Sequence, residues 1–319
     1  MVMHGKSQML LRAARLYYED GLTQQRIANE LGVSRPTVSR LLAQAREEGI
    51  VHVTVADPSD ARGDVEAQLV ETFALRQAVV AVGEGLGREQ LRRRIGLTAA
   101  GYLQRTLYDG LRIGIGWGRT LQATIEALDI ERLVDIHVLP LIGGLGQLSA
   151  SFQVNELARR LAEAFDGDWQ AFYAPAFVGD PQARDALSRY TDARRVIETW
   201  DSLDMALIGI GYFAFQRKSS MFFVEYMDES LLRSLEEQEA VGDLCGRFFD
   251  VHGKQCTPES GVIGISLEQL RALDQVVGIA GGEEKVPAIL GALRGGYLDV
   301  LITDSVTAQA VLEKHRSET

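Results

Sequence analysis

The segment GIGWGRT offers anion-binding chemistry. Gly116 and Gly118 let backbone amides approach a negatively charged group, because glycine has no side chain to block the approach. Arg119 and Thr120 then open a helical segment, and the N-terminus of a helix favours negative charge. These four residues are therefore candidates for a ligand-binding site.

Similar turns follow three other apolar runs. Gly143 and Gly144 end one run, and Gln153 lies on the helical segment that comes next. The turn GIAGGEEK ends at Lys285, whose cation can reach a phosphate or a sugar oxygen, and LITDS ends its run at Asp304. Ligands of open parallel sheets bind beyond the carboxyl ends of the strands. The repetition of such turns predicts a pocket at one edge of a sheet.

Asp243, in AVGDLCGRFFD, adds a carboxylate that can accept hydrogen bonds from sugar hydroxyls. The glycines at 114, 116 and 118 do not form a dinucleotide fingerprint, which needs its third glycine three residues beyond the second. His252 and Cys256 lack two further ligands for a zinc ion, and no nucleophile motif occurs. We therefore expect no metal and no cofactor.

Apolar runs alternate with amphipathic segments along the body of the chain, which indicates an α/β fold with a parallel sheet covered on both faces. The run 88–110 fits one long helix. Arg92, Arg93 and Arg94 are interpreted as its solvated face, with a phosphate or subunit contact as the alternative. Strands are predicted over 77–83, 111–116, 135–144, 169–175, 204–211, 262–266, 275–282 and 299–304.

The first 55 residues predict a small helical domain. Thr23 and Ser34 are good N-caps for two helices separated by the tight turn Gly32-Val33. A strand-like run, IVHVTV, follows the second helix. Two crossed helices, preceded by another helix and followed by a short strand, have the order of a winged helix-turn-helix.

The outward face of that second helix predicts DNA recognition, because arginine can bond guanine edges or phosphates and hydroxyls can reach bases or backbone. Residues 1–55 carry a net charge of +2 and the remainder carries −13, so only the N-terminal domain suits a polyanion. The candidate DNA-binding residues are Gln24, Ser34, Arg35, Thr37, Ser39, Arg40 and Gln44.

A chain of 319 residues is long for one core, which predicts two domains. We expect a DNA-binding domain over 1–55, a linker over 56–64 that is rich in Pro, Asp and Gly, and a ligand-binding domain over 65–319. No uncharged apolar run is long enough for a membrane span, so no membrane partner is expected. With two cysteines and no disulfide framework, we expect a cytoplasmic protein.

The motifs resemble the SorC family of bacterial transcriptional regulators over nearly the whole chain. The resemblance implies a Rossmann-like α/β effector domain similar to ribose-5-phosphate isomerase, glucosamine-6-phosphate deaminase and CoA transferases. It also implies a tetramer that binds operator DNA and responds to a sugar, polyol or sugar phosphate. The motifs that carry it are GLTQQRIANELGVSRPTVSRLLAQAREEGIV, IGIGWGRTL, LPLIGGLGQ, ALIGIG, AVGDLCGRFFD, GISLEQLR and VGIAGGEEKVPAILGALRGGYLDVLITD.

The resemblance also implies roles for single residues. The first glycine-rich turn, 118–120, would hold a phosphate, with Gln153, Asp243 and Lys285 at other points of the site. Family members that recognise a bisphosphate carry a basic residue where this chain has Ile142. The resemblance therefore implies a monophosphate or an uncharged sugar or polyol as effector.

One alternative is a DNA-bound scaffold whose pocket is degenerate. Another is a sugar-phosphate isomerase or deaminase with an appended DNA-binding domain. Asp243 and Lys285 could perform acid–base work in such an enzyme. No histidine accompanies them in the strand-end motifs, and such an enzyme needs no helix-turn-helix. We therefore expect a carbohydrate- or polyol-responsive regulator and no enzyme.

Overall fold

The chain divides into two compact units, residues 1–60 and residues 61–319. This division falls inside the predicted linker, and the first helix of the second unit begins at Arg62. The computed structural model describes residues 9–10, 12–14, 16–17, 22–47, 62–130, 132–146, 153–213, 227, 229–256 and 261–318.

The first unit contains helices α1 (Gln24–Leu31) and α2 (Arg35–Glu47), preceded by helical residues within 9–17. The Thr23 side chain caps α1 by accepting a hydrogen bond from the Arg26 amide, and α1 ends at Gly32, whose φ of 66° favours glycine. The predicted strand over 50–55 lies outside the described residues. The core of this unit is formed by Leu10, Ala13, Ala14, Ile27, Ala28, Val38, Leu41, Leu42 and Ala45.

The second unit is built on a parallel sheet of seven strands, in the order β1-β10-β9-β5-β2-β3-β4. Three further strands, β6, β7 and β8, form a small antiparallel sheet. The strands are β1 (Gln77–Ala81), β2 (Leu111–Ile115), β3 (Ile136–Pro140), β4 (Asp168–Trp169), β5 (Met205–Gly209), β6 (Gly211–Tyr212), β7 (Ala240–Leu244), β8 (Arg247–Asp250), β9 (Val276–Ile279) and β10 (Val300–Asp304).

Helices cover both faces of the seven-stranded sheet. On β10, Val300 and Ile302 pack in one hydrophobic cluster with α4, α5 and α6, whereas Leu301 packs in a second cluster with α3, α11 and α12. The alternation follows from the two-residue period of a strand. The helices are α3 (Arg62–Phe73), α4 (Arg88–Thr106), α5 (Arg119–Glu126), α6 (Val154–Phe165), α7 (Pro181–Ser188), α8 (Thr191–Thr199), α9 (Glu229–Glu237), α10 (Leu267–Ala272), α11 (Val286–Arg294) and α12 (Ser305–Ser317).

Two predicted strands are largely absent. The run 169–175 is a strand only at its first residue, and 262–266 forms only isolated bridges, Ile142 with Gly264 and Phe177 with Val262. Residues 262–265 are buried and apolar, and the run 169–175 alternates the buried Phe172 and Ala174 with the exposed Tyr173 and Pro175. Both patterns are typical of a strand, although these segments pair only at single points.

The hairpin of β7 and β8 was not predicted as a pair of strands. Its turn places both Cys245 and Gly246 at positive φ, 48° and 76°, as the tightest hairpin turns require. Cysteine rarely adopts this conformation, so only Gly246 is a residue from which this turn could have been predicted.

Candidate functional site

A cavity of about 530 Å³ lies at the carboxyl ends of the parallel strands. Residues that follow β1, β2, β5, β9 and β10 line it, and these strands are close neighbours in the sheet. The carboxyl ends of parallel strands meet at one edge, so the turns between strands and helices surround one space.

Seven of the ten predicted ligand-binding residues line this cavity. Three others, Gly143, Gly144 and Gln153, are not among the residues that line it. Their contact with a ligand stays a prediction, and residues 147–152 between them lie outside the described part of the chain. The seven lining residues are Gly116, Gly118, Arg119, Thr120, Asp243, Lys285 and Asp304.

Gly143, Gly144 and Gln153 instead hold the segment after β3 in place. The Gly144 amide donates to the Ala174 carbonyl at 2.8 Å, and a Cβ on Gly143 would lie 2.5 Å from that same oxygen. The Gln153 side chain accepts a hydrogen bond from the Leu145 amide and donates to the Leu145 carbonyl. The close backbone approach requires glycine at 143.

The turn after β2 presents the N-terminus of α5 to the cavity. Gly118 precedes the helix with a φ of 136°, which residues with side chains rarely adopt. The first amides of a helix have no partner within the helix, so those of Arg119 and Thr120 suit an anion. The Gly116 amide, in contrast, donates to the Leu207 carbonyl at 2.9 Å, so Gly116 contributes only its lack of a side chain.

Asp243 is a buried carboxylate with one unbonded oxygen. Its Oδ2 accepts a hydrogen bond from the Gly246 amide at 3.0 Å, but Oδ1 has no hydrogen-bond partner in the described part of the protein. Gly211 on β6 makes room for the carboxylate, since a Cβ there would lie 1.9 Å from Oδ1. Burial raises the pKa of Asp243 to about 6, against the opposing effects of the Gly246 amide and Lys285.

Lys285 stands beside Asp243 in the same cavity wall. Its Nζ donates to the Ile210 carbonyl at 2.6 Å, which leaves further N–H donors of the ammonium for a ligand. Burial lowers the pKa of Lys285 to about 8, and the carboxylates of Asp243 and Glu284 oppose that change. The pair can therefore accept from and donate to neighbouring hydroxyls of one polyhydroxylated ligand.

Asp304 lines the cavity but already has several hydrogen-bond partners. Oδ1 accepts from the Thr307 amide at 3.0 Å, and Oδ2 accepts from the Thr307 hydroxyl at 2.6 Å and the Gly282 amide at 3.2 Å. The carboxylate caps α12 and ties the turn after β9 to the end of β10. Its contact with a ligand stays a prediction.

The first turns of α4 also line the cavity, which the sequence did not predict. Arg92 was interpreted as solvated, with a phosphate or subunit contact as the alternative; it lines the cavity, and its side chain is only 17% exposed. The neighbouring Arg93 is 76% exposed, as expected. The spacing of Arg88, Arg92 and the apolar Ile95 places them on one face of the helix. This spacing is the feature of the sequence from which a cavity-lining face could have been predicted.

The predicted DNA-binding residues lie at the surface of the first unit. Ser34, Arg35, Ser39 and Arg40 are exposed, and Gln24, Thr37 and Gln44 are half-buried. The Ser34 side chain accepts from the Thr37 amide at 3.3 Å and lies 2.8 Å from the Thr37 hydroxyl. Ser34 therefore caps α2 and holds its N-terminal turn in place.

Two family models together match nearly the whole chain. The "Putative sugar-binding domain" model matches residues 58–313, and the Crp-like helix-turn-helix domain model matches residues 8–59. The sorbitol operon regulator of Klebsiella pneumoniae is 34% identical over 96% of this chain and 98% of that protein. The deoxyribonucleoside regulator of Bacillus subtilis (strain 168) is 31% identical over the same shares.

A solved structure shows the same fold. The crystal structure of the full-length sorbitol operon regulator SorC from Klebsiella pneumoniae matches with a TM-score of 0.82, over 96% of this chain and 98% of that chain. A helix-turn-helix unit and a sugar-binding α/β unit in one chain define a DNA-binding transcriptional regulator. The chain belongs to the SorC family of transcriptional regulators. The predicted family, the α/β class and a sugar-responsive DNA-binding function are confirmed.

Two features are absent from the described residues. No helix there is long and apolar enough to cross a membrane. No group of three or more His, Cys, Asp or Glu side chains in that part of the chain is placed to hold a metal ion.

Proposed function

We propose that this regulator controls a carbohydrate or polyol catabolic operon, and that a sugar, polyol or sugar monophosphate in the cavity changes its affinity for operator DNA. The observation that carries the proposal is the convergence in one cavity of a helix N-terminus, a lysine and a buried carboxylate with an unbonded oxygen. A ligand with one anionic end and several hydroxyls would satisfy all three.

In this proposal the turn 118–120 receives the anionic end, and Asp243 and Lys285 receive the hydroxyls. Asp243 would accept from one hydroxyl through Oδ1, and Lys285 would donate to an adjacent oxygen. Ile142 is fully buried outside the cavity lining, which supports a ligand with one phosphate or none. The names of two relatives, a sorbitol and a deoxyribonucleoside regulator, support the sugar class.

The DNA-binding part of the proposal places α2 in the major groove. Arg35 and Arg40 would bond bases or phosphates, and the amides near Ser34 would meet a phosphate. The remaining contacts are assigned to Gln24, Thr37, Ser39 and Gln44.

We further propose that the protein is a cytoplasmic homotetramer without enzymatic activity. Ligand binding would then change the spacing of the DNA-binding units and so their joint affinity for two half-sites. The names of the relatives, all transcriptional regulators, support the absence of an enzymatic role.

One observation favours a second candidate, a sugar-phosphate isomerase or deaminase. Asp243 and Lys285 line the same cavity, and burial moves their pKa values towards neutral pH, to about 6 and about 8, where acid–base catalysis is most effective. NMR of common phosphosugars incubated with the protein would reveal turnover. The regulator proposal expects none.

The test of the main proposal uses DNA selected from a random-sequence pool by the full-length protein. Anisotropy titrations in a salt series should show affinity that falls steeply with salt, and Arg40→Ala should weaken binding by about 1–3 kcal/mol. A panel of sugars, polyols and their phosphates is then added to the complex. Salt-independent binding, or no panel member that shifts the affinity, would refute the proposal.

A further inference from the structure

Helices α4 and α5 meet closely at Gly96. A Cβ on Gly96 would lie 2.7 Å from the carbonyl carbon and oxygen of Ala123, so only glycine permits this approach. Helix α4 follows β1 and helix α5 follows β2, and both helices begin beyond the carboxyl ends of these parallel strands. The first turns of both helices line the cavity.

Arg92 and Arg119 occupy equivalent positions on the two helices. Each lies four residues, about one turn, before the contact between Gly96 and Ala123. Both line the cavity. Because the two helices touch one turn further on, the two guanidinium groups lie at the same end of the cavity.

This end of the cavity is lined by Arg88, Arg92 and Arg119, of which Arg88 pairs with Glu284 at 3.3 Å. Burial lowers the pKa of Arg119, and the positive charges of Arg92 and Arg88 lower it further. Glu89 is shared between Arg92, at 2.5 Å, and Arg93, at 3.5 Å. A dianion between the guanidinium groups would relieve this repulsion and would also meet the N-terminus of α5.

An independent observation indicates a ligand in the same cavity. Asp243 is 3% exposed, and its Oδ1 has no hydrogen-bond partner among the described residues. A buried acceptor left unbonded is costly, so a donor from a bound molecule would stabilise it. The cavity thus offers an acceptor for a hydroxyl in addition to its arginines.

We propose that Arg92 is a specificity-determining residue: with Arg119 and the first turn of α5, it holds a doubly charged phosphate group. The cavity then selects a phosphorylated sugar or polyol over its neutral form. This inference rests on the proposed function, in which a ligand of the sugar class occupies the cavity.

Arg93→Gln is a matched control for Arg92→Gln. Both substitutions remove one positive charge and one ion pair with Glu89 from the same helix, but only Arg92 lines the cavity. Calorimetric titration of the full-length proteins with inorganic phosphate should show binding at least tenfold weaker in Arg92→Gln and changed less than twofold in Arg93→Gln. Arg92→Lys should fall between them, because lysine keeps the charge but loses the bidentate geometry.

Arg92→Gln should still unfold in one cooperative thermal transition, and Arg93→Gln should keep the affinity of the parent for the selected DNA, which separates lost binding from lost folding. Equal phosphate affinity in Arg92→Gln and the parent, or an equal loss in both glutamine variants, would overturn the inference. So would a parent protein that does not bind phosphate at about 10 mM. In each of these cases the DNA titrations still decide the proposed function separately, since a neutral polyol could be the effector.

Discussion

Two buried carboxylates at the same cavity have different surroundings. Asp304 is 1% exposed, and its oxygens accept hydrogen bonds from Thr307 and Gly282. Asp243 is 3% exposed, and one of its oxygens has no partner in the described part of the protein. The comparison teaches that burial alone does not assign a role. A carboxylate whose oxygens are bonded holds the turns together, whereas the one with an unbonded oxygen is the one that we propose for a ligand contact.

The largest expected effect follows from removing the bonded carboxylate. Asp304→Ala leaves the amides of Thr307 and Gly282 without this acceptor in a buried turn, so the free energy of unfolding should fall by about 3–4 kcal/mol. Denaturant unfolding of the parent and the variant measures the difference. Equal unfolding midpoints and slopes would show that these hydrogen bonds do not stabilise the fold.

A smaller effect of opposite sign is expected at Asp243. Its folded pKa of about 6 lies above the ordinary value of 3.8, so its burial destabilises the fold above pH 6 and ceases to do so as the pH falls towards 4. Asp243→Asn should therefore be more stable than the parent by about 2–3 kcal/mol at pH 8, with the difference vanishing near pH 4. Unfolding curves across this range measure it. A pH-independent difference would contradict the assigned cause.

The two carboxylates should also differ in their effect on ligand binding, and the expected change in free energy is smaller. Asp243→Asn keeps the shape of the side chain but presents a neutral group, so affinity for the sugar or sugar phosphate found in the effector panel should fall about tenfold, or 1.4 kcal/mol. Calorimetry on the folded variant measures it. Arg93→Gln serves as the control because Arg93 is exposed and outside the cavity lining. Unchanged affinity would remove Asp243 from the proposed site.

The smallest effect is expected at a neighbour of Asp304. Thr307→Val removes the hydroxyl that donates to Asp304 and accepts from the Gly282 amide, which keeps its bond to the carboxylate. The free energy of unfolding should fall by about 1 kcal/mol. Thermal melts measure this loss. A loss as large as that of Asp304→Ala would mean that the hydroxyl, rather than the carboxylate, holds the turn.

The glycine-rich turns show which parts of the candidate site can be predicted from the sequence and which cannot. The turns after β2 and β3 have similar sequence patterns, and only the first lines the cavity. After β3, the backbone of residues 174–176 bonds to Gly144 and fills the space beside Gly143. That contact joins residues about thirty positions apart, so no local pattern reveals it. The position of Arg92 in the cavity wall likewise depends on a contact between distant segments, that of α4 with α5 at Gly96.

The sequence by itself determined the local elements and their chemistry. Caps at Thr23 and Ser34, two-residue and helical periodicity, and polar groups at strand ends depend on neighbours within a few residues. Only the tertiary structure decided which of these groups share a cavity and which carboxylate oxygen stays unbonded. Those outcomes depend on the strand order and on contacts between distant segments, because hydrogen-bond partners and burial are set by packing in three dimensions.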